Sequence, residues 1–295
     1  MEIIEINQSN LNNTINELFD MQKDGNYVFR GYSKANELLP SLVRNYDRLN
    51  LDDYGMLKYE KMLLKQYGKY AIQYLPYYFT PLDWVASAQH FGLPTRLIDW
   101  SFDPFCSLYF ALSLNKKPEE EYYKLIAVDL REQIYFNEIP VFTVDATHNN
   151  STNNAMLDNY LLFVNSLLTY SGCLSKTQNE KTKREFCNKM SKHFEDEVKT
   201  QKHKLFFCSI YDSNPRIIAQ KGLFQIPRRF VDDEGNDIID KDIISASQRL
   251  YKISKSIRGE ILDILDKLNI STPRLFPDLQ NICTYLKNIE PSKID

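Results

Sequence analysis

Six short runs of strand character set the fold class of this chain, through the unequal lengths of chain between them. Tyr27–Gly31, Thr95–Ile98, Leu125–Leu130, Lys204–Ile210, the stretch from Arg216 to Ile226 around Gly222, and Leu250–Ile253 each read as strand or bulged strand pair. Between them lie helical patterns rather than hairpin turns. Leu11, Ile15, Leu18 and Phe19 recur at helical spacing behind a cap at Asn10 or Asn12. A second amphipathic pattern runs from Tyr54 to Tyr74, and Pro76 stops it. Pro81 opens a helix over Leu82–His90 that Gly92 and Pro94 end, and Pro104–Leu114 and Ser256–Leu268 continue the series. A regular βαβ rhythm is absent, so the expectation is an α+β fold: a mixed or antiparallel sheet flanked by helices.

With 295 residues and 43% hydrophobic content the chain can bury a sizeable core. One domain over 1–295 is the simplest count. The texture changes inside it: Asn-rich at 149–154, then two charged amphipathic patterns near 157–170 and 180–198, which mark 137–203 as a helical insertion. Pro277–Lys287 reads as a short closing helix.

The bulk chemistry excludes several classes. A net charge of −3 gives no overall pull toward nucleic acid, and no run approaches the length of a membrane span. Five cysteines without CxxC spacing, three of them (Cys106, Cys208, Cys283) in apolar runs as buried thiols are, and no leader-like start place the expectation in a reducing cytoplasm. The four histidines show no HxxxH or HxH spacing, so no metal is expected, and nine glycines form neither GxxxxGK[ST] nor GxGxxG.

Chemistry concentrates in three places. Phe29-Arg30-Gly31 puts a guanidinium at a strand end, beside a glycine that lets another group approach the backbone. Arg30 suits a phosphate or carboxylate, or a salt bridge to Asp99 or Glu37. Gln89-His90-Phe91-Gly92-Leu93-Pro94-Thr95-Arg96-Leu97-Ile98-Asp99-Trp100-Ser101 packs an imidazole, a guanidinium, a carboxylate, two hydroxyls and an indole into a crossover between apolar elements. His90 is an acid–base candidate, or a helix C-terminal residue bonding the last carbonyls. Arg96 and Asp99 lie on opposite faces of a strand, so each is expected to find its partner elsewhere, and Ser101 is a ligand contact or a helix cap. Gln220, read inside the apolar run that begins at Arg216, must satisfy its amide on a ligand or on a neighbouring loop.

These segments, with Leu39-Pro40-Ser41-Leu42 to Arg44, Pro104 to Ala111, Gly222, Phe224 and Leu275-Phe276-Pro277-Asp278-Leu279, resemble the FRG domain family, named for its Phe-Arg-Gly motif. The resemblance covers most of the chain outside 137–203 and brings little biochemistry with it. The order of elements is also similar to ADP-ribosyltransferases of the Arg–Ser–Glu kind. That likeness implies a sheet core of that type and places Arg30 on NAD phosphate or ribose, with Ser101 or Thr95 in the Ser place. The third place falls on Gln220, and a neutral amide can neither steady an oxocarbenium charge nor act as a base. His90 or Asp99 must then supply the chemistry, or the fold only binds.

The expected function is an NAD-dependent ADP-ribosyltransferase or NAD glycohydrolase, a toxin or phage-defence effector in form. His90, Asp99 and Gln220 are its catalytic candidates, and Arg30, Gly31, Thr95, Arg96 and Ser101 its binding ones. NAD enters as substrate, and the partners are a nucleotide-like small molecule and a macromolecular acceptor or partner protein. The alternatives are a non-catalytic nucleotide- or protein-binding module, and a purely architectural polar network.

Overall fold

One strand of the sheet is apolar on both faces along the run Leu125–Val128. Leu125, Ile126, Ala127 and Val128 are each fully buried, the pattern of a strand covered by helices above and below. The structure is a computed structural model and describes residues 1–46, 53–71, 73–74, 81–113, 121–136, 205–209, 214–227 and 239–287. Among these residues eight strands form one mixed sheet: β1 (Glu2–Ile6), β2 (Tyr27–Tyr32), β3 (Ile98–Ser101), β4 (Tyr122–Asp129), β5 (Ile134–Phe136), β6 (Phe206–Cys208), β7 (Gly222–Gln225) and β8 (Arg249–Ser254). Their spatial order is β1-β8-β4-β2-β3-β7-β6-β5. The end pairs, β1 with β8 and β5 with β6, are parallel, and every other pairing is antiparallel. The expected α+β class is therefore the observed one.

One face of the sheet buries Phe29, Leu125, Ala127 and Tyr251 against α1 (Leu11–Asp24), α5 (Pro104–Leu112) and α8 (Arg258–Lys267). The other buries Val28, Ile98, Trp100, Ile126 and Val128 against α2 (Ser41–Tyr46), Met56 of α3 (Asp53–Ala71) and α7 (Ile239–Ala246). A third cluster joins α3 and α4 (Pro81–His90) to β6 and β7 through Leu64, Leu82, Ala88, Phe206 and Phe224. The remaining helices are α6 (Pro215–Ala219), α9 (Thr272–Leu275) and α10 (Leu279–Lys287). Among the described residues no helix is long and apolar enough to cross a membrane.

Local chemistry fixes the ends that matter. Asp103 caps α5 by accepting from the Phe105 and Cys106 amides, and Pro104 opens the first turn. Gly92 closes α4 at φ +88°, with its amide on the Gln89 carbonyl and the Leu93 amide on that of Ala88, a Schellman closure. Gly31 exists for packing: a Cβ there would lie 1.8 Å from the Ser107 carbonyl oxygen of α5.

Several sequence expectations need correction. The strand expected at Thr95–Ile98 begins three residues later, because the Thr95 amide, hydroxyl and carbonyl are held by Ser41, Leu42, Gln89 and Leu97 rather than by a ladder. The strand-like run from Arg216 opens instead as helix α6: the Asn214 side chain accepts from the Arg216 amide, Pro215 occupies the first turn, and the strand starts only at Gly222. Gln220 consequently sits at the end of α6 and not inside a strand. Cys283 is exposed, whereas Cys106 and Cys208 are buried. Strands β1 and β5 and helix α7 were not foreseen. The insertion expected at 137–203, with its helices near 157–170 and 180–198, lies outside the described residues.

Candidate ligand-binding site

β2 and β3 pair at a single position, Phe29 opposite Ser101. Beyond it, toward Arg30 and Asp99, the two strands part, and the Arg30 side chain spans the opening. Its Nη1 donates to the Asp99 carbonyl and its Nη2 to the Glu37 carbonyl. The salt bridge anticipated for Arg30 thus involves the expected residues, but through their backbones. Arg30 Nε is buried with no hydrogen-bond partner among the described residues. Burial holds the Arg30 guanidinium down at about 10, against the opposing pull of the Asp99 charge. An arginine tied to carbonyls keeps its charge for something else.

A cavity of about 220 Å³ opens at this parting. Three guanidinium groups line it: Arg30 from β2, Arg44 from α2 and Arg216 from α6. Arg44 donates to the Leu39 carbonyl at 3.1 Å, and Arg216 lies over the Phe276 ring at 4.6 Å. Neither contact cancels charge. His90 lines the same cavity, its Nδ1 buried and unpartnered among the described residues. Burial lowers the His90 pKa, Arg216 lowers it further, and Asp278 opposes them. Among the described residues that line it the one carboxylate is Asp99, an exposed side chain whose Oδ1 accepts from Gln89 Nε2 at 2.8 Å. Gln220 completes the wall; its Nε2 donates to the Leu275 carbonyl at 2.9 Å, so the amide nitrogen is spent on the chain's closing segment.

The structure therefore divides the residues singled out from sequence. Arg30, His90, Asp99 and Gln220 meet at one cavity. Gly31, Thr95, Arg96 and Ser101 are not among its lining residues. Arg96 is buried on Glu60 of α3: its amide donates to Oε1 at 2.8 Å, its Nε to Oε2 at 2.6 Å, and the two side chains form an ion pair. Ser101 donates to the Gln220 carbonyl at 2.6 Å and accepts from the Asp103 amide at 2.9 Å, which positions the Gln220 end of α6 against the start of α5. Trp100 donates to Gln225 at 2.9 Å inside the core.

Two cavity residues escaped the sequence-based site list. Arg216 and Arg44 both stand in the motif pieces, but neither was given a binding role there. Glu60 was also missed, although its signal was legible: it sits four residues after Met56 on the apolar face of α3, where a lone carboxylate needs a partner. Among the described residues no group of three or more His, Cys, Asp or Glu side chains is placed to hold a metal ion.

No curated protein and no solved structure matches the chain. The family model of the FRG domain matches residues 25–120. That stretch carries β2 with Arg30, α2 with Arg44, and the α4–β3 crossover with His90 and Asp99, which is most of the cavity wall. The stretch that supplies most of this wall therefore matches the FRG domain, and that match supports the chain as an FRG domain-containing protein.

Proposed function

We propose that the cavity binds the phosphate-bearing part of a nucleotide, with NAD as the substrate and ADP-ribosyl transfer or NAD hydrolysis as the reaction. The observation that carries the reading is the convergence of Arg30, Arg44, Arg216 and His90 on one cavity that a single carboxylate, Asp99, also lines. A guanidinium fork matches phosphate oxygens in pairs, and arginines whose contacts among the described residues are carbonyls and a ring are already oriented for an anion.

The chemistry has one natural seat. When the bond between the ribose anomeric carbon and the nicotinamide nitrogen breaks, nicotinamide leaves with the electron pair and positive charge develops on the sugar. Asp99 would steady that charge as a lining carboxylate with one oxygen held by Gln89. Water or an acceptor nucleophile then forms the new bond, and its proton passes to His90 or Asp99. A toxic or phage-defence role is the biological form such turnover would take.

One observation favours the non-catalytic alternative. Gln220 stands where the likeness asks for a carboxylate, and its amide is tied to Leu275. Incubation with NAD, following nicotinamide release and protein-bound label, separates the two readings when paired with thermal shifts by NAD and ADP-ribose. Catalysis requires turnover that Asp99→Asn abolishes while the thermal shift survives, and Arg30→Ala must remove both. A shift without turnover supports the binding module. Neither shift nor turnover in the wild type rejects the nucleotide site.

A further inference from the structure

The cavity is too small for the ligand assigned to it. Pockets that enclose a drug-sized molecule run from roughly 300 Å³ upward, whereas this one measures about 220 Å³. The arginines line this volume, so the phosphates are assigned to it and the rest of a nucleotide to its rim. Two exposed apolar side chains adjoin lining residues. Phe91 is 70% exposed, although its chain neighbours His90 and Gly92 both line the cavity. Its exposure is built into the backbone: the Schellman closure of α4 makes Phe91 the last residue of the turn, Gly92 at φ +88° swings the chain away, and Leu93, not Phe91, returns to the cluster between α4 and β7. The Phe91 and His90 rings meet at a near-right angle with centroids 4.9 Å apart, which ties the exposed ring to a cavity-lining side chain. Ile218, 49% exposed, follows the cavity-lining Ile217.

We propose that Phe91 is a stacking platform for the nucleobase of the bound nucleotide, so that the arginines hold the phosphates and Phe91 selects ligands that carry a base. This rests on the nucleotide reading above and names the residue that would separate a nucleotide from a bare polyphosphate. An aromatic face is suited to the task because stacking on a base is worth enough to register and tolerates any base.

Calorimetric titration of the full chain with ADP and, separately, with inorganic pyrophosphate tests the proposal in the wild type and in Phe91→Ala and Phe91→Leu. The expected result is tighter binding of ADP than of pyrophosphate by the wild type. Phe91→Ala then loses on the order of tenfold in ADP affinity with pyrophosphate unchanged, the scale of one lost base stack. Phe91→Leu, which keeps bulk but not the ring, falls toward the alanine value. Equal binding of the two ligands by the wild type, or an alanine variant that weakens both alike, overturns the platform and leaves the anion site standing. Failure of pyrophosphate and ADP alike to bind the wild type overturns the nucleotide reading itself.

Discussion

Removing the charge from Glu60 should separate the half of the motif that braces the fold from the half that faces the ligand. Glu60 and Arg96 have side chains only 2% and 6% exposed, so water screens their interaction little. Glu60 also carries the Arg96 amide on its second oxygen at 2.8 Å. Glu60→Gln keeps a carbonyl for that amide and removes the negative charge that Glu60 sets against the buried guanidinium, a loss of about 3–5 kcal/mol. For a chain of this size each kcal/mol moves the melting temperature by roughly 2–4 °C, so a fall of about 10 °C is expected. Arg96→Met in the same background removes the guanidinium as well and should recover most of the loss, since buried ion pairs exchanged for well-packed neutral groups cost little. Differential scanning calorimetry of the two single variants and the double variant measures this. ADP-ribose binding, read at a temperature where each variant is folded, should stay near the wild-type value throughout. A Glu60→Gln variant that melts with the wild type, or an Arg96→Met variant that keeps its stability and loses the ligand, would refute the division.

Gly31→Ala should be the most damaging small substitution in the Phe-Arg-Gly motif, because its Cβ meets backbone at 1.8 Å and neither β2 nor α5 can yield. Gly259→Ala, with nothing within 4 Å, is the control and should be neutral or slightly stabilising in the same melting assay. His90 predicts a pH dependence. Its folded-state pKa is lowered below the ordinary 6.5 by burial and by Arg216, so as pH falls through 6.5 the unfolded chain takes the proton first and stability drops. Between pH 7.5 and 5.5 the wild type should therefore lose more melting temperature than His90→Gln. Bound pyrophosphate should shrink that difference by favouring the imidazolium, and parallel melting curves would sink the assignment.

How much of this was legible in the sequence depends on the reach of the interaction that decides each element. β2 and the helices that open at Pro81 and Pro104 rest on neighbours in the chain and could be read directly, although the cap of the second falls on Asp103 and not on Ser101. The start of β3 depends on what Ser41, fifty-four residues away, does to Thr95, and no local pattern carries that. At Pro215, hydrophobicity outweighed a local signal that was present, since an Asn followed by Pro is a helix start. The edge strand β1 is mostly exposed, so its alternation was weak. In the site, Arg30, His90, Asp99 and Gln220 could be gathered as chemically conspicuous residues. The roles of Thr95, Arg96 and Ser101 could not be separated from theirs, because burial and hydrogen-bond partners decide whether a polar residue braces or binds. A shared role for Arg44 and Arg216 emerges only once β2 and β3 part and α2 and α6 border the gap.

The central claim is that the parting of β2 and β3 holds phosphate. A crystal structure of the chain soaked with ADP-ribose addresses it most directly. The account predicts phosphate oxygens about 3 Å from the guanidinium nitrogens of Arg30 or Arg216, with Arg96 still on Glu60. ADP-ribose seated elsewhere on the chain, with the arginine cavity empty, would contradict it.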